Sequence, residues 1–233
     1  MEKIHFEQIR TEFYEMDRNY FSKYSILNEM VDQSISRVEY GKGGATLPRG
    51  YYCPSLVNDI IIGGRSRGRL VVNARKNTFY NYIFCFDKDN RLIKVDKYSD
   101  KNDALPRYQE YIFYEENNIF SITFKIGSDG KAYGLSSMIK EKYSNNGRLA
   151  SCYFINSEDI EIESYEYHID GKIKDVTWEA FLCNRFYQKM ICSFSHDTDG
   201  YLKDYTVHHK QYDFDGKVSD DEVRYPVLIR RKI

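Results

Sequence analysis

Tyr165-Glu-Tyr-His-Ile-Asp-Gly-Lys-Ile173 runs an aromatic strand into an Asp-Gly corner, a lysine and a second apolar strand. The same gesture recurs in Tyr82-Ile-Phe-Cys-Phe-Asp-Lys-Asp-Asn-Arg-Leu-Ile-Lys-Val95 and Ile122-Thr-Phe-Lys-Ile-Gly-Ser-Asp-Gly-Lys131. Lys142-Tyr-Ser-Asn-Asn-Gly-Arg-Leu149, Phe194-Ser-His-Asp-Thr-Asp-Gly-Tyr-Leu202 and Tyr212-Asp-Phe-Asp-Gly-Lys-Val218 repeat it, and Glu115-Glu-Asn-Asn-Ile119 is a weaker seventh copy. Asn, Asp and Gly tolerate the positive φ of tight hairpin turns, and the flanking Tyr, Phe, Ile and Val suit a pleated strand. The copies therefore predict a chain of β-hairpins. Their spacing is too irregular for a solenoid.

Tyr80, Tyr82, Phe84 and Phe86 share one face by the period of two. Tyr165, Tyr167 and Ile169 do likewise, with Glu166 and His168 opposite. Polar residues on the second face predict antiparallel strands wet on one side. Residues 5–35 differ. Phe6, Ile9, Phe13, Met16, Tyr20, Tyr24, Leu27 and Val31 recur at helical spacing, which predicts an amphipathic helix broken near Ser22 or Ser25. Such a stripe either covers the chain's own sheet or binds a partner, and the first reading is preferred. Between them, Gly41-Lys-Gly-Gly44 and Pro48-Arg-Gly50 read as loop, and Ile60–Ile62 and Leu70–Val72 as short strands around Arg65, Arg67 and Arg69.

The expected architecture is mostly β: one domain over 1–233, with an N-terminal helix (1–36), loop-rich strands (37–79) and a hairpin sheet (80–233). The sheet is expected to be a twisted antiparallel meander, curling toward a half-barrel with the helix on its concave side. At 233 residues the chain is long enough to bury one real core.

The formal charge of −1 provides no global field for nucleic acid or an anionic membrane. Five cysteines, Cys53, Cys85, Cys152, Cys183 and Cys192, show no CxxC or metal-type spacing and read as packed thiols of a reducing compartment. No basic segment followed by an apolar run opens the sequence, and no window approaches ~18 apolar residues. A cytoplasmic protein is expected.

Chemical motifs are sparse. Neither Gly127-Ser-Asp-Gly130 nor Gly41–Gly44 matches a phosphate-binding loop. His196-Asp-Thr-Asp199 resembles an acid–base or metal cluster, but a hairpin corner explains both aspartates. His208 and His209 point to opposite faces of a strand, poor metal geometry. No nucleophile elbow appears. No catalytic residue, cofactor or metal site is nominated. Arg65–Arg69 and Arg230-Arg-Lys232 read as a solvated loop and tail.

The acidic stretches carry more. Glu158, Asp159, Glu161, Glu163 and Glu166 alternate with Ile160 and Ile162, next to Tyr165 and Tyr167. Asp213, Asp215, Asp220, Asp221 and Glu222 form a second group. They either protect a sheet edge from pairing or steer a basic partner. The candidate partner-binding residues are Glu158, Asp159, Glu161, Glu163, Glu166, Tyr165 and Tyr167.

The corner pattern, aromatic-x-Phe/Tyr/Ile-Asp-x-Asp/Asn-Gly/Asn-Lys/Arg-Leu/Ile, resembles the tyrosine–aspartate (YD, or Rhs-type) hairpin repeat. Phe84 to Ile93, Tyr167 to Ile173 and Tyr212 to Val218 match, residues 142–149 and 194–202 match in part, and the likeness spans roughly 80–223. Shell-forming Rhs proteins are far longer and more regular. A short version with an N-terminal helix is similar to small immunity proteins paired with bacterial polymorphic toxins. That resemblance implies a non-enzymatic protein that occludes the active site of a cognate toxin, such as a nuclease. It implies no direct contact with nucleic acid or membrane, and it transfers no individual functional residue. A scaffold module binding protein or glycan, and an enzyme with a site built only by the fold, are the alternatives.

Overall fold

A computed structural model describes residues 3–43, 55–57, 69–73, 75, 78–183, 186–212 and 218–226. Among the described residues two helices, α1 (Lys3–Phe21) and α2 (Tyr24–Ser34), precede thirteen strands. These are β1 (Arg37–Lys42), β2 (Arg69–Val71), β3 (Tyr82–Phe86), β4 (Leu92–Lys97), β5 (Tyr108–Tyr114), β6 (Asn118–Ile126) and β7 (Ala132–Tyr143). Then come β8 (Leu149–Asn156), β9 (Ile160–Tyr167), β10 (Ile173–Leu182), β11 (Phe186–His196), β12 (Leu202–Tyr212) and β13 (Val218–Pro226). All thirteen form one open antiparallel sheet in sequence order from β13 down to β3, followed by β1 and β2. Among the described residues no helix is long and apolar enough to cross a membrane.

The expected hairpin corners are there, and five share one backbone geometry. In each, the first residue's N–H donates to the fifth residue's carbonyl, and the fourth residue's N–H donates to the first's. His168 N to Lys172 O is 2.8 Å, and Gly171 N to His168 O is 2.9 Å. Equivalent pairs close Asp87–Arg91, Gly127–Lys131, Ser144–Arg148 and Asp197–Tyr201. The fourth position is Asn90, Gly130, Gly147, Gly171 or Gly200, all with φ between 60° and 91°. This is a turn followed by a one-residue bulge in αL conformation, where a Cβ is costly. The carboxylates of Asp87 and Asp197 accept backbone N–H groups within their own corners, which is why aspartate recurs there. The weaker Glu115–Asn118 copy is a different turn: Glu115 N donates to Asn118 O at 2.8 Å and no residue there has positive φ. The 213–217 corner lies outside the described residues, as do Ile60–Ile62, Pro48–Gly50, Arg65, Arg67, Cys53 and the Arg230–Lys232 tail.

The helix breaks at Ser22-Lys23, as the spacing predicts. Phe6, Ile9 and Phe13 are buried against Tyr111, Ile122, Phe124, Met138, Ile155, Ile160 and Ile162, while Met16, Tyr20, Tyr24, Leu27 and Val31 pack on the same cluster. The stripe therefore covers the chain's own sheet. Each fully buried large apolar side chain contributes about 1.5–3 kcal/mol. α2 is further pinned by Lys94 of β4, whose buried Nζ lies 2.8 Å from Asp32 Oδ1 and 3.0 Å from Asn28 Oδ1.

Three expectations need correction. The sheet is not wet on one face. A second core of Cys152, Tyr165, Val176, Trp178, Met190, Cys192, Phe194 and Val207 packs with Leu56 and Val57, and a third gathers Phe84, Phe86, Leu92, Val95 and Ile112. Ile169 does not continue the Tyr165–Tyr167 face, because the corner begins at His168 and leaves Ile169 fully exposed. Gly41 and Lys42 are not loop but the end of β1, with Gly41 opposite Tyr82 on one side and Leu70 on the other.

Candidate functional site

β9 lies between β8 and β10, so its acids protect no edge. Nor do they form one surface. Alternation sends Ile160 and Ile162 into the cluster under α1, while Glu161, Glu163, Tyr165 and Tyr167 share the opposite face. Glu163 is 3% exposed, which removes it as a steering charge. Ser55 Oγ donates to its Oε1, and Tyr165 OH donates to its Oε2. Tyr165 OH in turn accepts the Leu56 N–H at 2.9 Å. Burial pushes the Glu163 carboxyl up to about 7, against the pull of the Ser55, Tyr165 and Val57 hydrogen bonds. The group therefore latches residues 55–57 onto the sheet.

The other acids divide between structural bonds and solvent. Glu161 Oε2 accepts the Trp178 indole N–H at 3.0 Å. Asp159 Oδ1 accepts the Cys183 N–H at 2.9 Å and so ties the β8–β9 turn to the end of β10. Glu158 is exposed in that turn, and Glu166 is exposed 3.4 Å from Lys174. Of the second acidic group, Asp221 and Glu222 are exposed on β13, with Glu222 3.3 Å from His208 Nδ1, while Asp213 and Asp215 lie outside the described residues. Among the described residues no three His, Cys, Asp or Glu converge on a metal geometry.

A feature that motif reading passed over is the row of corners. In this meander the 87–91, 115–118, 144–148, 168–172 and 197–201 turns all fall at one end of the sheet. An aromatic side chain precedes each: Phe86, Tyr114, Tyr143, Tyr167 and His196. Two copies are joined identically to the corner before them. Tyr114 OH donates to Leu92 O at 2.9 Å while the Arg91 guanidinium sits 5.6 Å from the Tyr114 ring centroid. Tyr167 OH donates to Leu149 O at 2.8 Å while Arg148 sits 5.4 Å from the Tyr167 ring. Arg37 from β1 covers Phe86 in the same manner, at 3.9 Å. Arg91 and Arg148 are each the fifth residue of their corner and lean on the ring of the next hairpin.

His196 holds the third equivalent position. The ring residue stands three beyond the paired residue on its own strand in Lys94/Tyr111, Ser151/Ser164 and Asp175/Ser193, which maps Tyr114 and Tyr167 onto His196. The carbonyl two residues before the partner maps Leu92 and Leu149 onto Ile173. The imidazole does not reproduce the tyrosine bond: its Nε2 is buried without a hydrogen-bond partner. Lys172, in the arginine position, instead turns Nζ to Asp170 at 2.8 Å. A cleft of about 660 Å³ opens here, lined by His168, Asp170, Lys172, Phe194, Ser195 and His196, with exposed Ile169 at its lip. Overlaying the copies as text would have singled out His196 as the odd member. A search for catalytic motifs meets it only within His196-Asp-Thr-Asp199, where a hairpin corner accounts for the aspartates and sets it aside.

No protein-family model matches the chain, and no curated protein matches it.

Proposed function

We propose that this chain is a binding protein of the immunity type, which neutralises a cognate toxin domain by occluding its active site and is not itself an enzyme. The observation that supports this most is the row of corners at one end of the sheet. Four hairpin corners of one backbone geometry lie in this row, and the Tyr114 and Tyr167 rings are each held by the arginine of the preceding corner, Arg91 and Arg148. Rigid aromatic and arginine side chains are the usual anchors of protein interfaces. The reading extends the YD-type resemblance to a partner. That partner is a basic, nucleic-acid-handling toxin, and the work is done in the cytoplasm. Steering falls to the exposed acids Glu158, Glu166, Asp221 and Glu222, since Glu163 is buried.

Affinity capture of the tagged chain from its source cells, followed by mass spectrometry, should recover one protein in stoichiometric amount. Co-expression of that protein's toxic domain with the chain should restore growth. Capture of no specific protein, or capture without protection, would sink the immunity reading.

A further inference from the structure

The cleft between the 168–172 and 197–201 corners has a counterpart in the two complete copies, and there it is filled. At Tyr114 and Tyr167 an arginine guanidinium leans on the ring, 5.6 and 5.4 Å from the centroid, and the tyrosine hydroxyl closes the gap to the preceding hairpin. At His196 both elements are missing. The imidazole is shorter than a phenol and reaches no carbonyl, and the preceding corner supplies a lysine drawn aside to Asp170. The Lys172 stem passes close to Gly200, where an added Cβ would meet its Cε at 3.1 Å. What remains is a cleft of about 660 Å³ with aromatic walls from His168, Phe194 and His196.

We infer that this cleft is a docking seat for an arginine side chain of a partner protein. The chain's own copies define the occupant: a planar cation against a ring, beside the acid of the corner. Arg91 Nη2 lies 3.4 Å from Asp89, and Asp170 is the same position of the 168–172 corner. Asp170 is ionised at neutral pH, its carboxyl held low by Lys172. His196 is uncharged there, because burial, then Lys172 and His168, hold its imidazole below the ordinary range. It therefore presents a ring face and not a repelling cation. The charged and titratable groups around His196 are His168, Lys172, Asp170 and Asp197. Arg is preferred to Lys because its flat guanidinium stacks and forks at once. The inference rests on the partner-binding function only for the source of the arginine.

The probe is Nα-acetyl-arginine amide, titrated into the full chain at pH 7.5 and followed by NMR of the histidine side chains and the backbone. Nα-acetyl-citrulline amide, of equal shape and no charge, is the control. Saturable shifts confined to residues 168–172 and 194–197 are expected with the arginine probe and not with citrulline. His196→Tyr restores the phenol that completes the repeat and should weaken the response at least ~10-fold. Asp170→Asn should weaken it about threefold, as befits an exposed charge. Lowering the pH well below the ordinary histidine range should weaken it as His196 takes up a proton. Equal responses to arginine and citrulline, or undiminished binding by a folded His196→Tyr variant, would overturn the seat. A null titration by a chain that still captures its partner removes the cleft and leaves the binding function standing. A working titration without capture does the reverse.

Discussion

The two faces of β9 close in opposite ways. Ile160 and Ile162 meet Phe6, Ile9 and Phe13 of α1 through ring and branched side chains, with Phe6 stacked on Phe181 at 5.6 Å. One residue out of phase, Glu163 and Tyr165 meet Ser55, Leu56 and Val57 through a hydrogen-bonded carboxyl. Both faces are buried, but apolar contact is indifferent to partner chemistry, whereas a buried carboxyl needs each of its donors. The first face tolerates loss of an atom group in proportion to volume. The second should fail by pH and by single hydroxyls.

The largest expected effect breaks the apolar face. Phe13→Ala removes a ring that is 3% exposed and should cost about 3–5 kcal/mol in denaturant unfolding, with the transition still cooperative. A cost below about 1 kcal/mol would mean that α1 is a loosely attached partner helix.

The acid face sharpens next. Tyr165→Phe strips the donor from Glu163 and the acceptor from the Leu56 N–H, at a cost of about 1–3 kcal/mol. Glu163 should also be visible as a pH slope. Its folded pKa of about 7 lies above the unfolded value, so its contribution is complete below about pH 4.5 and is lost as pH rises through about 7. Glu141, likewise pushed up to about 7 by burial, adds a slope of the same sign. Chemical denaturation at pH 5 and pH 8 should show Glu163→Gln losing about half of the shared decline and Glu163→Gln/Glu141→Gln losing most of it. An unchanged decline in the double variant would mean that neither carboxyl titrates in the fold.

At the corners, Gly171→Val should cost about 1–3 kcal/mol, because φ is +91° and an added Cβ would stand 2.7 Å from Arg148 Nη2. Gly147→Val, at φ +75° with open space around it, should cost less in the same melts. Equal melting of both variants would separate the corner strain from the arginine packing. The smallest stability effect belongs to Glu158→Lys and Glu166→Lys, within about 0.5 kcal/mol for exposed side chains. If exposed acids steer the partner, the pair should slow association and flatten its salt dependence, since salt screens such charges over ~10 Å at 0.1 M. Association rates unaltered at two salt concentrations would take both residues out of the encounter surface.

What the sequence alone determined was local. The period of 3.6 in Phe6–Val31, a break near Ser22 or Ser25, and the Asp/Asn/Gly corners at 90, 130, 147, 171 and 200 are consequences of backbone sterics and single-element amphipathicity, and they hold wherever those segments end up. The tertiary structure decided what long-range pairing decides. Glu161 and Glu163 read as solvated charge because nothing near them in the chain shows that Trp178 and Ser55 will arrive, 17 and 108 residues away, to satisfy them. The seat beside His196 was equally hidden. It exists only because Lys172, 24 residues earlier, is brought alongside by the β10–β11 pairing, and a cleft is the space that two hairpins leave between them, which no single stretch of chain encodes.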